Sequence, residues 1–295
     1  MRVINITWDD YANYGYHNAM AMRSVGIDAE AFCLKRHGFG YDKHATNVTM
    51  EQIVEECNKA DVIQVMHSCD TMYNAVKNLD KKIIVWHTGT RYRTQPDHYN
   101  KMWNPIVYKS VLALGEFMNS GAKNPVYFGI TVDVDSITPD YKLNTPLVVA
   151  HYPSNPLVKG TSIINTLTQG MNYRTGGIVP HPQNVERMQK TDIYIEMMAL
   201  KQGGYPYGSF GTTAVEAAAM GKIVLTNNLW EQTYKKVYGA CGLVISNNPK
   251  DMLNELKTLL SSTDKEIIKL KKRSRRWAEK HGYKKQGKRM LKLLK

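Results

Sequence analysis

Residues 208–222 read GSFGTTAVEAAAMGK, a short turn with two glycines that leads into a run of strong helix formers. The apolar residues 223–225 follow, as expected of a strand that comes after a helix. The first backbone N–H groups of a helix have no partner within it, so such a turn favours an anion. Glu216 lies four residues after Thr212 on the same helix face, within reach of the sugar hydroxyls of a nucleotide. The stretch therefore predicts a site for a nucleoside diphosphate.

Short apolar runs alternate with longer helical patterns along the whole chain of 295 residues. This alternation is typical of βαβ units that build a parallel sheet. The length suits two compact halves. Residues 130–146 contain several Asp and Pro residues and are the strongest candidate for the linker between the halves. We predict an α/β protein with one Rossmann-like domain over 1–140 and a second over 141–270. A basic helical segment over 271–295 is expected to pack back on the first domain.

Four segments, in the same order along the chain, resemble GT-B fold glycosyltransferases, in particular the retaining enzymes of family four. Residues 208–222 resemble the donor-binding turn and helix of that family, and residues 151–161 (HYPSNPLVKGT) resemble its Lys-Gly segment at a strand end. Residues 129–139 resemble its interdomain stretch, and residues 87–93 (HTGTRYR) are similar to its His-Gly-Ser/Thr turn. The resemblance implies two doubly wound domains that face each other across a cleft, and the short chain suggests a compact, phage-type member.

The resemblance also implies roles for individual residues. Lys159 would neutralise the donor diphosphate as the bond to the sugar breaks, Glu216 would bind the ribose, and His87 would lie near the sugar on the acceptor side. The chain departs from the family pattern twice, with Ser154 in place of an arginine and Gly208 in place of the first acid of a pair. Another cation would have to compensate for the missing arginine, and the candidates are Arg91, Arg93 and Arg174.

Two further sets of site residues follow from the same motifs. The residues predicted to contact the donor are Gly15, Ser154, Gly208, Ser209, Phe210, Gly211, Thr212 and Thr213. Candidates for the acceptor or for phosphate are Asp10, His67, Arg91 and Arg93. Asp10 is a possible general base if the enzyme inverts configuration, and Gly15 lies in the loop after the first strand.

Composition narrows the class of protein. No apolar run approaches the roughly 18 residues that a bilayer span requires, and the N-terminus does not read as a signal peptide. The four cysteines lack Cys-x-x-Cys spacing, and Asp133-Val134-Asp135, although an Asp-x-Asp motif, falls in the linker. We therefore expect a soluble, cytoplasmic protein with metal-independent chemistry, with no cofactor other than a nucleoside-diphosphate sugar as co-substrate, a UDP-sugar being favoured.

The net charge of +13 is placed unevenly. Residues 265–295 carry 14 Lys and Arg against two Glu, in a helical apolar pattern that breaks near His281-Gly282. Such a face is either a solvated helix surface or a binding surface for a polyanion. The polyanion would be nucleic acid or an anionic membrane surface. The polyanion-binding candidates are Lys271, Lys272, Arg273, Arg275, Arg276, Lys284 and Lys285.

Together these patterns predict a glycosyltransferase that moves a sugar from a nucleoside-diphosphate sugar to an acceptor hydroxyl. The acceptor is either a hydroxylated base in DNA or a glycan or lipid at a membrane surface, so the protein is expected on nucleic acid or peripherally at a membrane. No obligate protein partner is evident. The alternative, motivated by Ser154 and Gly208, is a catalytically degenerate module that binds a nucleotide sugar or a polyanion.

Overall fold

The computed structural model of the chain describes residues 1–202, 204–228 and 230–295. Its contacts divide the chain into two compact units. Unit 1 comprises Met1–Asp133 together with Gly282–Lys295, and unit 2 comprises Val134–His281.

Unit 1 is built on seven parallel strands and the helices between them. The strands are β1 (Arg2–Asp9), β2 (Asp28–Lys35), β3 (Thr46–Asn47), β4 (Val62–Met66), β5 (Lys82–His87), β6 (Lys109–Leu112) and β7 (Pro125–Tyr127). The helices are α1 (Tyr14–Arg23), α2 (Met50–Lys59), α3 (Asp70–Val76), α4 (Gly89–Thr94) and α5 (Pro96–Trp103), with 3-10 turns at Tyr11–Asn13 and Gly115–Asn119.

The sheet of unit 1 has the strand order β3-β2-β1-β4-β5-β6-β7, and every neighbouring pair is parallel. All five residues of β4 are buried, as expected where helices cover both faces of a parallel sheet. The order reverses direction between β1 and β4. The loops that follow these two strands therefore meet at the carboxyl edge of the sheet, the usual ligand position in doubly wound folds.

Unit 2 repeats this plan on a smaller scale. Its strands are β8 (Val149–His151), β9 (Tyr173–Thr175), β10 (Ile193–Met197), β11 (Lys201–Gln202), β12 (Tyr205–Pro206), β13 (Ile223–Thr226) and β14 (Val244–Ile245). Its helices are α6 (Pro156–Lys159), α7 (Thr161–Leu167), α8 (His181–Gln189), α9 (Thr212–Ala219), α10 (Glu231–Tyr238), α11 (Pro249–Ser261) and α12 (Asp264–Ala278), with 3-10 turns at Val134–Ser136 and Glu279–His281.

Five parallel strands of unit 2 form a sheet in the order β14-β13-β10-β8-β9, while β11 and β12 form a separate antiparallel pair. The strand β10 is central, and the order reverses between β8 and β10. Two doubly wound α/β units confirm the predicted fold class. None of the helices within the described residues is both long and apolar enough to cross a bilayer.

The last helix, α13 (Tyr283–Leu294), belongs to unit 1 and contacts α1 there. The Gln286 side chain donates Nε2 to the carbonyl oxygens of Gly129, at 3.1 Å, and Ile130, at 2.9 Å. At the other end of the helix, Lys82 donates to the carbonyl of Leu294 at 2.7 Å. A lysine at a helix C-terminus satisfies carbonyls that have no partner within the helix.

The units divide seven residues earlier than the boundary after residue 140 that the sequence suggested. Residues 134–140 pack with unit 2, because Asp140 donates its N–H to Met220 at 3.0 Å and Arg275 donates to the carbonyl of Ile137 at 2.7 Å. The basic segment 271–295 is not one structural element either. Its first part completes α12 in unit 2, and the chain joins unit 1 after His281.

We predict that Gly287→Ala destabilises unit 1. A Cβ at this helical position would lie 2.1 Å from the carbonyl oxygen of Ala21 in α1, so α13 would have to move away. We expect a loss of about 1–3 kcal/mol in the free energy of unfolding, measured with urea, as for other overpacked interiors. The control is Gly38→Ala, where an added Cβ has no neighbour within 4 Å. Equal stability of the two variants would contradict this account of the α1–α13 contact.

Candidate functional site

The turn that opens α9 is held by a hydrogen bond and by aromatic packing. The carbonyl of Ser209 accepts a 2.7 Å hydrogen bond from the Thr226 hydroxyl at the end of β13. The Phe210 ring packs edge-on against Trp277, with ring centroids 5.0 Å apart, and against Tyr234 at 5.5 Å. Gly208, Ser209 and Phe210 are buried, whereas Gly211 and Thr213 are half-buried at the helix start. The turn is thus anchored to β13 and to the aromatic rings of Tyr234 and Trp277.

A lysine and a glutamate meet at this helix start. Lys159 ends α6, Glu196 lies in β10, and the two form an ion pair. The same Glu196 oxygen, Oε1, accepts the backbone N–H of Gly211 at 2.9 Å. The Glu196 side chain is 1% exposed and that of Lys159 is 16% exposed, so the lysine is the outer member of the pair.

Gly160 explains why a glycine follows Lys159. It has φ +69°, and a Cβ there would lie 1.9 Å from the carbonyl oxygen of Met198. The N–H of Met198 in turn donates to the carbonyl of Lys159 at 3.0 Å. Only glycine permits this close approach between the end of α6 and the segment after β10. The close contact sets the position of Lys159 beside β10.

Glu216, one turn into α9, is paired with a histidine that begins α8. His181 Nε2 lies 2.7 Å from Glu216 Oε1, and the Glu216 side chain is 4% exposed. This contact orients the carboxylate. We call Lys159, Glu196, residues 208–213, Glu216 and His181 together the α9 site.

Sequence reasoning missed Glu196 and His181. Glu196 lies within a buried strand, where an acid is rare unless it is paired, and that was the available signal. His181 follows Pro180 at the start of α8, and nothing in the local sequence connects it with Glu216. The predicted donor residue Ser154 is half-buried ahead of α6, in the same unit.

A buried histidine, His151, lies beneath the α9 site in the sheet of unit 2. His151 Nδ1 lies 2.8 Å from the carbonyl of Ile195, and Nε2 lies 2.9 Å from the Thr161 hydroxyl. Because a carbonyl only accepts, Nδ1 carries the proton and Nε2 accepts from Thr161. Burial lowers the pKa of His151 to about 4, so the ring is neutral at physiological pH. This ring links β8, β10 and α7 without adding charge.

In unit 1, Asp10 and Gly15 form the turn between β1 and α1. The Asp10 carboxylate accepts the N–H groups of Gly15, at 2.6 Å, and Tyr16, at 3.0 Å. Burial raises the pKa of Asp10 to about 6. A Cβ at Gly15 would lie 3.1 Å from Asp10 Oδ1, which accounts for the glycine. Both carboxylate oxygens thus accept backbone N–H groups of the turn. These contacts indicate a structural role for Asp10, whereas the sequence suggested a general base.

His67 and His87 end the neighbouring strands β4 and β5. The His67 ring contacts the Thr88 hydroxyl. The backbone of His67 has φ +60°, an uncommon conformation for a non-glycine residue. His87 is fully buried and stacks on Tyr92, with ring centroids 4.0 Å apart. Neither His87 ring nitrogen has a hydrogen-bond partner in the part of the chain that the structure describes. Burial lowers the pKa of His87 to about 3.

The two arginines that follow His87 differ in exposure. Arg91 is exposed, whereas Arg93 is buried and forms an ion pair with Glu116. The Glu116 side chain is also 5% exposed. Arg93 therefore holds α4 against the 3-10 turn over Gly115–Asn119, and the suggestion that it contacts a phosphate does not fit its position. Arg91 keeps its place among the candidates.

The basic C-terminal residues also separate into two classes. Lys271 is fully buried and donates to Asp192 at 2.8 Å and to the carbonyl of Lys142 at 2.6 Å, so its assignment to the polyanion face is wrong. Arg275 is largely buried and donates to the carbonyls of Ile137 and Ala219, both at 2.7 Å. Periodicity placed both on the polar side of the helix, but the packed side is wider than its apolar residues suggest. The exposed candidates are Lys272, Arg273, Arg276, Lys284 and Lys285.

In residues 1–202, 204–228 and 230–295, no three His, Cys, Asp or Glu side chains are grouped so that they could hold a metal ion.

We predict that His87→Phe removes a pH dependence of stability. The folded pKa of His87, about 3, lies below the ordinary value of 6.5. Its contribution to stability is therefore complete above pH 6.5 and is lost as the pH falls towards 3, at up to about 1.4 kcal/mol per pH unit. Unfolding with urea between pH 7.5 and 4.5 should give a shallower slope for the variant. Parallel curves would show that His87 is charged or exposed in the folded protein.

Comparison with known proteins adds to this geometry. No model of a known protein family matches the chain, and no curated protein matches it. Solved structures match along its whole length. An alpha-glucosyltransferase in complex with UDP and a 13-mer DNA containing an HMU base has a TM-score of 0.72 at 10% identity, covering 100% of this chain and 99% of that one.

Two other solved structures show the same likeness. HepE of Anabaena, in complex with UDP and glucose, has a TM-score of 0.72 at 11% identity, covering 100% of this chain and 99% of that one. Sucrose-phosphate synthase of Thermosynechococcus elongatus has a TM-score of 0.64 at 11% identity, covering 100% and 98%. The chain therefore has the GT-B fold of glycosyltransferases, as the four sequence segments predicted.

Proposed function

We propose that this protein transfers a sugar from a nucleoside-diphosphate sugar, with a UDP-sugar as the favoured donor, to an acceptor hydroxyl. The α9 site is the observation that carries the proposal. It brings a lysine ammonium, a helix N-terminus and a buried carboxylate to one edge of a parallel sheet. Two solved structures of the same fold are described as complexes with UDP, which supports the choice of donor.

The diphosphate is proposed to lie on the first turn of α9. The N–H groups of Thr212 and Thr213 have no partner within the helix, and the helix dipole adds positive potential. Lys159 would then stabilise the charge that develops on the leaving phosphate, and Glu216 would accept the ribose hydroxyls. Because these groups supply the positive charge, we expect the reaction to proceed in EDTA.

The course of the reaction at the anomeric carbon is a separate part of the proposal. The resemblance to family four implies retention, with the leaving phosphate taking the proton of the acceptor hydroxyl on the same face of the sugar. The anomeric configuration of the product, read by NMR, tests this point.

For the acceptor we propose DNA that carries a hydroxylated base. One argument is the alpha-glucosyltransferase of the same fold that is described with UDP and HMU-containing DNA. The other is the outer face of α12, where Lys265, Lys269, Lys272 and Arg276 are exposed at spacings of three and four residues. Side chains at this spacing share one helix face, so the four cations form a stripe that suits a row of phosphates.

We predict that Lys159→Ala and Glu216→Ala each lower the release of UDP from UDP-sugar by about 100-fold, because each removes a group that contacts the donor. The measurement is nucleotide release from UDP-, GDP- and ADP-sugars, with and without duplex DNA that contains hydroxymethylated bases. Lys190→Ala is the control, because this lysine is 60% exposed and pairs with Glu186, which is 65% exposed.

The outcomes separate the candidate functions. Release that DNA stimulates supports both donor and acceptor. Release that DNA leaves unchanged supports the enzyme but moves the acceptor to a glycan or lipid. Absence of release from every donor contradicts the proposed activity and favours a module that only binds a nucleotide sugar or a polyanion.

We also predict that the double variant Lys269→Glu, Lys272→Glu weakens DNA binding at least about tenfold at low salt and lowers the salt dependence of the affinity. The control, Lys250→Glu with Lys257→Glu, makes the same change in net charge at exposed positions of α11. The measurement is DNA affinity by fluorescence anisotropy between 50 and 200 mM salt. An equal loss in both variants would mean that only net charge matters and would contradict a binding face on α12.

A further inference from the structure

Glu196 is an unexpected group in the α9 site. The proposed function places a diphosphate there, yet the structure places a buried carboxylate against the same cation that the diphosphate would use. Two like charges beside one lysine repel each other, and the effect is larger in a partly buried site than in water. A carboxylate at position 196 is therefore expected to weaken the binding of a diphosphate.

The geometry makes the competition direct. A single oxygen, Glu196 Oε1, receives both the Gly211 N–H and the Lys159 ammonium. A Cβ built on Gly211 would lie 2.9 Å from that oxygen and 3.5 Å from Lys159 Nζ, so all three groups are crowded around the N-cap of α9. In the free protein, much of the charge of Lys159 is thus already neutralised.

On the basis of the proposed function, we propose that Glu196 is a positioning residue that also sets the affinity for the nucleotide. It holds Lys159 at the start of α9, and it competes with the diphosphate for the lysine charge. The ammonium has three N–H donors, so it can keep its bond to Glu196 and donate to a phosphate oxygen as well. Nucleotide product would then bind weakly enough to leave.

Competition with the diphosphate and a purely structural role predict opposite changes in nucleotide affinity when Glu196 is replaced. If Glu196 only supported the fold, its replacement would loosen the turn and weaken nucleotide binding. If it competes with the diphosphate, loss of its charge removes that competition for Lys159 and strengthens binding. The substitution Glu196→Gln suits the test because the amide oxygen can still accept the Gly211 N–H while the negative charge is gone.

The experiment measures UDP affinity by calorimetry for the full-length native protein and Glu196→Gln. We expect the variant to bind UDP at least about fivefold more tightly, a modest share of what one charged hydrogen bond contributes, and to turn over more slowly because UDP leaves slowly. In a Lys159→Ala background, Glu196→Gln should give a much smaller gain. Glu186→Gln, at a carboxylate that is 65% exposed, is the matched control and should leave UDP affinity unchanged.

The outcomes distinguish this inference from the function on which it rests. If the native protein binds no UDP, GDP or ADP, both the proposed function and the inference fail. If the native protein binds UDP and Glu196→Gln binds it equally or more weakly at an unchanged melting temperature, only the inference is overturned. Should Glu196→Gln fail to fold, Glu196→Asp is the second variant, because it keeps a carboxylate in the site but draws it back from Lys159, and UDP should again bind more tightly than to the native protein.

Discussion

The central strand of unit 2, β10, has a buried carboxylate–lysine pair at each end. Asp192 precedes the strand and binds Lys271 of α12, and Glu196 lies in the strand and binds Lys159 of α6. The first pair also ties down the chain that enters the unit, because Asp192 accepts the N–H of Val148 at 3.0 Å and the Asn144 side chain at 2.8 Å. Removing one partner of the fully buried Asp192–Lys271 pair would leave an uncompensated buried charge, which typically costs about 3–5 kcal/mol.

The two pairs differ in exposure, and this difference indicates which pair stabilises the fold and which pair can contact a ligand. Both members of the Asp192–Lys271 pair are 0% exposed, so this pair fastens α12 to the sheet. In the other pair, Lys159 is partly exposed at the carboxyl edge, beside the free end of α9. The parallel arrangement of the strands places this pair at the edge where ligands of doubly wound sheets bind. The same kind of ion pair therefore serves the fold at one end of β10 and is available to a ligand at the other.

Much of the fold was predictable from the chain alone. The alternation of short apolar runs and helical patterns predicted two parallel α/β units, because strands buried on both faces require continuous apolar segments. The 208–222 turn and the Lys-Gly segment likewise predicted a helix start and a lysine at the same sheet edge. Periodicity was less reliable in the C-terminal region, where Lys271 and Arg275 lie on the packed side despite their charge. A charged residue that finds a carboxylate or backbone carbonyls can be buried, and periodicity contains no information about such partners.

The sequence by itself determined the α/β class, the helix start at Thr212 and the presence of a lysine before Gly160, since these depend on local propensity and strand-length apolar runs. Only the tertiary structure decided that Glu196 shares an oxygen between Lys159 and Gly211, that His181 orients Glu216, and that α13 packs on unit 1. These contacts join residues that are 15 to more than 200 positions apart. Local sequence patterns cannot specify such pairs, because the partner is brought near only when the sheet forms.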